Sequence, residues 1–332
     1  MTLITGDSGF VGRHLVVQLL CRGIDVRGID ITPGRGNDSK HDQVVGNILD
    51  RESVMRAMAG VQSVIHLAAE HKDFGITRNR YFEVNEQGTK NLLQCASASN
   101  VKEFVFYSSV AVYGNRQSLD EEVEPRPCNP YGESKLAAER AVVAWAEEDA
   151  TRKAVIIRPT VVFGPFSRAN IFKLISYVCD KKFVWIGKGD HVKSIAYVEN
   201  LAAATIFLLD NMKSGVEVFN YSDEPQMTTR QLVSLIARTA GVAEPKLAIP
   251  MGLALPIAKI FDAVGRVTGI DLPVTSARIR KFNTPTMFGS DRIRQAGFKQ
   301  PHSIAEGLER NIKWYFEELK TGKTLQFENS GE

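Results

Sequence analysis

The sequence has few cysteines, no long hydrophobic run and no strong excess of charge of either sign. Its four cysteines are scattered, without a CxxC pair or a histidine spacing typical of zinc sites, so we expect free thiols and no bound metal. It contains no run of about 18 apolar residues, which argues against a membrane-spanning helix. Its first residues have neither the basic nor the apolar region of a signal peptide, so we expect a cytoplasmic protein.

The charge balance and composition are those of an ordinary globular protein. The net charge of +3, from 41 basic and 38 acidic residues, is too small to indicate a nucleic-acid partner by itself. Hydrophobic residues make up 44% and charged residues 24% of the chain. A length of 332 residues predicts about two domains, with a core that needs no disulfide or metal.

The first half of the chain alternates short β-rich segments with helical patterns. Such alternation predicts βαβ units and, because their crossovers are right-handed, a doubly wound parallel sheet. The predicted strands are residues 2–5, 24–30, 43–45, 63–68, 103–108 and 154–158, and the predicted helices are residues 10–21, 51–58, 78–99 and 130–148.

Glycines between the first strand and the first helix form the first candidate site. Gly6, Gly9 and Gly12 have the spacing GxxGxxG, which differs from the GxGxxG of the usual dinucleotide fingerprint. Glycines let the backbone approach a pyrophosphate, and the helix N-terminus offers unpaired N–H groups. The arrangement predicts a dinucleotide site.

The end of the second strand indicates which dinucleotide binds. Asp30 is placed to accept hydrogen bonds from the adenosine ribose, and its charge would repel a 2′-phosphate. NAD is therefore favoured over NADP, although Arg27 and Arg35 nearby leave NADP open.

A tyrosine and a lysine at helical spacing form the second candidate site. Tyr131 and Lys135 share one helix face, where an ammonium group stabilises a phenolate and lowers the tyrosine pKa. Asn129 and Pro130 are typical of a helix start, which puts Tyr131 in the first turn. Ser109 follows the preceding strand, and ligands of open α/β sheets bind outside the carboxyl ends of strands. Its hydroxyl is therefore predicted to reach the same substrate oxygen.

These motifs together resemble one family along nearly the whole chain. The sequence is similar to the extended short-chain dehydrogenase/reductases, and within them to the NAD-dependent epimerase/dehydratase group that acts on nucleotide sugars. The matching motifs are TGxxGFxG at 5–12, Asp30, HLAA at 66–69, NxxGTxN at 85–91, SSxxVYG at 108–114, YxxxK at 131–135 and RPxxVFGP at 158–165.

The resemblance implies an α/β fold with a Rossmann-type sheet and a smaller, interleaved C-terminal α+β substrate domain. We expect the NAD-binding domain to cover residues 1–165, with 193–222 returning to it. Residues 166–192 and 223–325 are predicted to form the substrate domain, and 326–332 a polar tail.

The resemblance also implies a role for each site residue. Tyr131 would be the general acid and base, Lys135 would lower its pKa and hold the nicotinamide ribose, and Ser109 would assist. The implied cofactor contacts are Gly6, Gly9, Phe10, Val11 and Gly12 in the glycine loop, Asp30 at the ribose, Asn47 and Ile48 at the adenine, Leu67, Ala68 and Ala69 along the cleft, Pro159 beside the nicotinamide, and Tyr131 and Lys135. The implied substrate contacts are Ser109, Asn170, Lys193, Arg278 and Arg280.

Departures from the family pattern narrow the reaction. Related 4,6-dehydratases have an Asp-Glu pair just after the catalytic hydroxyl, where this sequence has Val110 and Ala111, so we expect no dehydratase activity. Val161 and Lys193 stand where many UDP-sugar epimerases have Asn and Arg, which indicates a less standard member, active in polysaccharide-sugar synthesis.

The resulting hypothesis is NAD-dependent C4 epimerisation of a UDP-sugar through a 4-keto intermediate. A nucleotide-sugar 4-ketoreductase that uses NAD(P)H is one alternative. A hydroxysteroid or hydrophobic-alcohol dehydrogenase is another, since the amphipathic helix predicted at 252–269 suits an apolar substrate or a membrane surface. A dinucleotide-sensing regulator is disfavoured because the three catalytic residues are present.

The resemblance also bears on the partners of the chain. Relatives commonly dimerise through helices that correspond to residues 78–99 and 130–148, so we expect a homodimer. We expect a nucleotide sugar as the substrate, no nucleic acid and no stable membrane insertion.

Overall fold

A seven-stranded parallel sheet lies at the centre of the fold. The structure is a computed structural model that describes residues 1–34, 41–72, 75–116, 120–268, 275, 276, 279 and 284–320. Its strands are β1 (Thr2–Thr5), β2 (Val26–Asp30), β3 (His41–Val45), β4 (Ser63–His66), β5 (Glu103–Tyr107), β6 (Lys153–Pro159), β7 (Val161–Phe163), β8 (Trp185–Ile186), β9 (Val192–Lys193), β10 (Ile195–Tyr197), β11 (Gly215–Tyr221), β12 (Met227–Thr228) and β13 (Ala248–Ile249). The central sheet has the order β3-β2-β1-β4-β5-β6-β11, so the strand order reverses between β1 and β4.

Helices cover both faces of this sheet. The described helices are α1 (Phe10–Cys21), α2 (Arg51–Met58), α3 (Arg78–Tyr81), a π-helical segment (Phe82–Gln87), α4 (Gly88–Ala98), a 3₁₀ turn (Val110–Tyr113), α5 (Pro130–Glu147), α6 (Asn170–Cys179), α7 (Val198–Asp210), α8 (Thr229–Thr239), α9 (Met251–Thr268), Asp291–Gln295 and Ile304–Lys320. Neighbouring strands joined through helices give the doubly wound arrangement predicted from the alternating pattern.

The core has two layers because side chains alternate along each strand. Leu3 of β1 packs with α2, α4 and α5 on one face of the sheet. The next residue, Ile4, packs with α1 and α7 on the other face. Strands β1 and β4 are buried along their whole length, as expected of parallel strands covered on both sides.

The start of α5 is fixed by its capping residues, as the sequence predicts. The side-chain oxygen of Asn129 accepts a hydrogen bond from the Gly132 amide at 2.8 Å, and Pro130 occupies the first turn. This cap places Tyr131 in the first turn of the helix.

The second half of the chain contributes to both layers of the molecule. β11 pairs in parallel with β6, and α7 packs on α1, so this segment belongs to the central sheet. A separate core joins α6, α8 and the helix Ile304–Lys320. These contacts support the division that we propose, in which residues 193–222 return to the first domain.

Candidate active site

The glycine loop brings backbone atoms closer together than any other residue would allow. Gly6 has φ of +75°, and a Cβ there would lie 3.0 Å from the Ala68 amide nitrogen. A Cβ on Gly12 would lie 2.2 Å from the carbonyl oxygen of Gly6. Gly9 caps α1, whose first two residues are Phe10 and Val11. The loop therefore leaves the N-terminus of α1 uncovered by side chains, as a pyrophosphate requires.

A buried carboxylate beneath this loop was missed by the sequence reasoning. Asp7 is 2% exposed, and its Oδ2 accepts hydrogen bonds from Gln43 Nε2 at 2.9 Å and His41 Nε2 at 3.1 Å. A Cβ on Gly28 would lie 2.1 Å from Asp7 Oδ2, so a glycine in β2 makes room for this side chain. Burial raises the pKa of Asp7, and the His41 ring opposes that rise. The sequence signal was an acidic residue within GxxGxxG, where it cannot point to solvent.

Asp30 lies at the carboxyl end of β2, beside the glycine loop. Its Oδ2 accepts a hydrogen bond from the Ser8 amide at 3.3 Å, and its Oδ1 accepts from the Thr32 amide at 3.0 Å. Arg27 Nε donates to Asp42 at 2.7 Å, so its guanidinium is engaged by another carboxylate. Arg35 lies outside the described residues. The Asp30 carboxylate is therefore held beside the glycine loop, at the carboxyl end of β2.

The other predicted cofactor residues follow neighbouring strands at the same sheet edge. Asn47 and Ile48 come after β3, and Ile48 is buried while Asn47 Oδ1 accepts from the Leu49 amide at 2.9 Å. Leu67, Ala68 and Ala69 come after β4, where the Leu67 and Ala68 amides donate to Thr5 Oγ1 at 3.2 and 3.1 Å. Pro159 ends β6. The glycine loop leaves a space that any larger side chain would fill, and the carboxylate of Asp30 lies beside it. This edge of the sheet therefore fits a dinucleotide.

The three predicted catalytic residues lie on elements that touch each other. Ser109 precedes the 3₁₀ turn, and its Oγ accepts a hydrogen bond from the Ala111 amide at 3.1 Å. A Cβ on Gly132 would lie 2.5 Å from the Ala111 carbonyl oxygen, so the first turn of α5 packs directly on that 3₁₀ turn. This contact brings the turn of Tyr131 against the turn of Ser109. The Tyr131 ring also lies 6.1 Å from the ring of Tyr81.

Lys135 is buried below Tyr131, one turn further along α5. It is 2% exposed, and its Nζ lies 4.4 Å from the centre of the Phe106 ring. Burial lowers the pKa of Lys135 to about 7, and the nearby Glu139 partly opposes this effect. The charge of Lys135 is therefore sensitive to its surroundings at physiological pH.

A buried ion pair supports this lysine and was also missed by the sequence reasoning. Glu139 accepts two hydrogen bonds from Arg158, at 2.9 and 2.6 Å, and both side chains are about 5% exposed. Arg158 also donates to the hydroxyl of Tyr113 at 2.7 Å, and Tyr113 donates to Asn220 at 2.9 Å. The available signal was the spacing of Glu139, four residues after Lys135 on the same helix face.

The histidine of HLAA is structural. His66 lies between Thr5 Oγ1, at 2.7 Å from Nδ1, and Thr89 Oγ1, at 2.9 Å from Nε2. Burial, followed by the charge of Lys135, lowers the pKa of His66 to about 3, so the ring is neutral at physiological pH. Asn85 is likewise structural, because it bonds the backbone of Glu70 on both sides, at 2.7 and 2.9 Å.

The predicted substrate residues are less closely gathered. Asn170 is exposed at the first position of α6. Lys193 lies in β9, and its Nζ donates to the backbone carbonyl of Thr284, a bond that a phosphate oxygen would have to share or replace. Arg278 and Arg280 lie outside the described residues.

The strand order, the reversal between β1 and β4 and the glycine loop define a dinucleotide-binding protein of the Rossmann class. The chain belongs to the NAD dependent epimerase/dehydratase family, whose model matches residues 2–221. This membership confirms the predicted family, the predicted sheet and the prediction of an NAD-dependent protein.

Two relatives that align along nearly the full chain are named as sugar 4-epimerases. The chain is 33% identical over 322 residues to the N-acetyl-alpha-D-glucosaminyl-diphospho-ditrans,octacis-undecaprenol 4-epimerase of Escherichia coli O157:H7, covering 96% of both chains. It is 27% identical over 330 residues to the UDP-glucose 4-epimerase of Vibrio cholerae, covering 95% of both. The solved structure of MoeE5 in complex with UDP-glucose and NAD has a TM-score of 0.75 at 23% identity, covering 96% of this chain and 99% of that one. That likeness shows the fold.

Proposed function

We propose that this protein is an NAD-dependent 4-epimerase of a sugar carried on a diphosphate, as in a UDP-sugar. The observation that carries the proposal is the packing of the Tyr131 turn on the Ser109 turn, with Lys135 buried beneath. The two curated relatives support the position of the reaction, since both are named as 4-epimerases. Their substrates share a diphosphate, which is the group that Lys193 would bind.

The residues of this chain would move one proton at the sugar C4 hydroxyl. Tyr131, as a phenolate, would accept that proton and later return it, and the ammonium group of Lys135 would stabilise the phenolate. Ser109 would hold the same oxygen by a hydrogen bond. NAD, when bound, would supply the hydride acceptor and donor that inversion at C4 requires.

The buried pair of Glu139 and Arg158 would keep Lys135 charged during this cycle. The pKa of Lys135 lies near 7 because of burial, and the carboxylate of Glu139 raises it. Arg158 holds that carboxylate through two hydrogen bonds, at 2.9 and 2.6 Å. Glu139 is therefore a positioning residue in this mechanism, with no contact to the reacting atoms.

Several finer statements stay predictions. Val110 and Ala111, which form the first half of the 3₁₀ turn, carry no carboxyl group, and we still expect no 4,6-dehydratase activity. The homodimer and the cytoplasmic location remain expectations. None of the described helices is both long and apolar enough to cross a membrane.

The test is epimerisation without added cofactor. Purified protein is incubated with UDP-N-acetylglucosamine, or with the same sugar on a polyprenyl diphosphate, and the C4 epimer is followed by proton NMR. We expect conversion of at least one of these substrates. Consumption of NAD(P)H with a 4-keto sugar, in the absence of any epimerisation, would instead indicate a ketoreductase.

A matched pair of tyrosine variants tests the base. Tyr131→Phe should lower turnover by about 100-fold to 10,000-fold and leave NAD binding intact, because only the proton acceptor is removed. Tyr177→Phe, on the exposed side of α6, should leave turnover unchanged. Turnover of Tyr131→Phe at the wild-type rate would show that Tyr131 is not the base.

A further inference from the structure

Helix α9 exposes large apolar side chains along one face. Leu253, Ile257, Ile260 and Phe261 are 62%, 48%, 66% and 41% exposed. Their spacing of four, seven and eight residues places them on the same side of the helix. Leu247, just before the helix, is 64% exposed. We call these five residues the docking face.

The opposite side of α9 packs against the protein through small residues. Ala254 and Ala258 are buried and pack with Ile279, and Met251 and Leu255 join the same cluster. The large side chains therefore do not belong to the core. Of the fifteen exposed large hydrophobic residues in the described part of the chain, five lie within residues 247–261. Such a concentration marks an interaction surface, whereas single exposed apolar residues are ordinary.

The charges around the docking face fit an anionic partner. Lys246 and Lys259 are exposed beside it, and Glu244 is the exposed acidic residue near Lys246. Asp262, the acidic residue of α9, is half-buried and accepts a hydrogen bond from the Ser276 amide at 3.1 Å, on the protein side. An apolar face edged by basic residues is the pattern of helices that lie in the surface of an anionic bilayer.

Other occupants fit this face less well. A second copy docked through the same face would bring the lysines of both copies together, which like-charge repulsion disfavours. The C-terminal residues 321–332 of this chain offer only Leu325 and Phe327 as large apolar side chains. A bilayer satisfies both the apolar face and its basic edge.

Residues 284–288, further along the chain than α9, contact the candidate active site. The Ser194 amide donates to the carbonyl of Thr286 at 2.9 Å, and Lys193 donates to that of Thr284. Phe288 stacks on the Tyr113 ring at 5.9 Å, and Tyr113 accepts a hydrogen bond from Arg158. Helix α9 itself packs against Ile186 of β8 and Ile249 of β13.

We propose that the docking face inserts into the surface of an anionic lipid bilayer, and that the substrate is a sugar diphosphate carried on a polyprenyl chain in that bilayer. The choice of carrier rests on the proposed function, whereas the docking does not. The protein would lie on the membrane through one helix face without spanning it.

Sedimentation with lipid vesicles tests the docking. Wild-type protein should sediment with vesicles of phosphatidylethanolamine and phosphatidylglycerol, and much less with phosphatidylcholine alone or at high salt. The double variant Leu253→Glu/Ile260→Glu should bind on the order of 100-fold more weakly, since two apolar side chains leave the lipid. Val17→Glu, at another exposed helical position, is the control and should bind like the wild type. Both changes are at the surface, and circular dichroism checks that each variant folds.

Turnover on two carriers separates this proposal from the proposed function. The double variant should keep the wild-type rate on UDP-N-acetylglucosamine in solution, and lose at least about tenfold on polyprenyl-diphosphate N-acetylglucosamine held in vesicles. If the wild-type protein epimerises a sugar but does not sediment with vesicles, the docking proposal alone is overturned. Vesicle binding without any epimerisation would overturn the proposed function and, with it, the choice of carrier, but would leave the docking in place. An oligomer that the double variant dissociates, together with no vesicle binding, would show that a second copy covers the face.

Discussion

Replacing Glu139 with glutamine should destabilise the protein strongly, although the change removes a single charge. Glu139 accepts both hydrogen bonds of a bidentate contact with Arg158, and each side chain is about 5% exposed. Removing one member of a buried pair leaves the other charge without compensation, which typically lowers the free energy of unfolding by about 3–5 kcal/mol. We expect a loss of that size for Glu139→Gln.

The same helix offers a matched control. Glu133 pairs with Arg78 at 2.7 Å, but these side chains are 36% and 60% exposed. Water already solvates both charges, so an exposed pair contributes about 1 kcal/mol or less. Glu133→Gln should therefore change the free energy of unfolding little. It is a matched control because it removes the same charge from the same residue type in the same helix as Glu139→Gln.

Urea unfolding by linear extrapolation measures both variants. The cofactor must be removed or held at one concentration, because a bound ligand adds to apparent stability. Equal and small losses in the two variants would refute the reasoning from burial. Replacing both members, as in Glu139→Leu/Arg158→Met, should recover much of the loss, since neither member of the pair is left with an unpaired charge.

Glu139 also affects the pH dependence of turnover. Its carboxylate raises the pKa of Lys135, so its removal should lower that pKa further. If the ammonium form is the active one, the alkaline limb of the pH–rate profile should move to lower pH in Glu139→Gln. A purely structural role for Glu139 would leave that limb in place.

Three further predictions concern the cofactor edge and the buried lysine. Between about pH 7 and pH 10, Lys135 keeps its proton in the unfolded chain but has lost it in the folded protein. The free energy of unfolding of the wild type should therefore rise with pH relative to that of Lys135→Met, by up to about 1.4 kcal/mol per pH unit. Urea unfolding curves of both proteins at several pH values check this. Gly12→Ala places a Cβ 2.2 Å from the Gly6 carbonyl and should abolish NAD binding in a fluorescence titration, whereas Gly252→Ala, with nothing within 4 Å, should not. Asp30→Asn should weaken NAD binding about tenfold to 100-fold by calorimetry, and unchanged affinity would remove Asp30 from the ribose site.

The described secondary structure follows the sequence pattern closely, with differences at element ends. The helices predicted at 10–21 and 51–58 have those bounds in the structure. The strand predicted at 63–68 ends at His66, because the next two amides turn to the hydroxyl of Thr5. The helix predicted at 78–99 ends at Ala98 and contains a π-helical segment over Phe82–Gln87, which periodicity does not reveal.

The doubly wound sheet, the glycine loop and the helix that carries Tyr131 could all be predicted from short segments of the sequence. These features depend on spacing within short segments, where glycine, a helix cap and alternating apolar residues act locally. The family follows from the same local motifs. The N-terminal position of Tyr131 in α5 could be read from Asn129 and Pro130 alone.

Only the tertiary structure shows which polar groups are buried together and which apolar side chains are exposed to solvent. Asp7 and His41, like Glu139 and Arg158, meet across separate elements, and burial raises the pKa of Asp7. Helix α9 is amphipathic in sequence, but pattern cannot say which apolar side chains a neighbour will cover. The small residues of α9 are buried against the protein, and the docking face is exposed to solvent. Burial depends on the packing of the whole chain and not on the pattern of one segment.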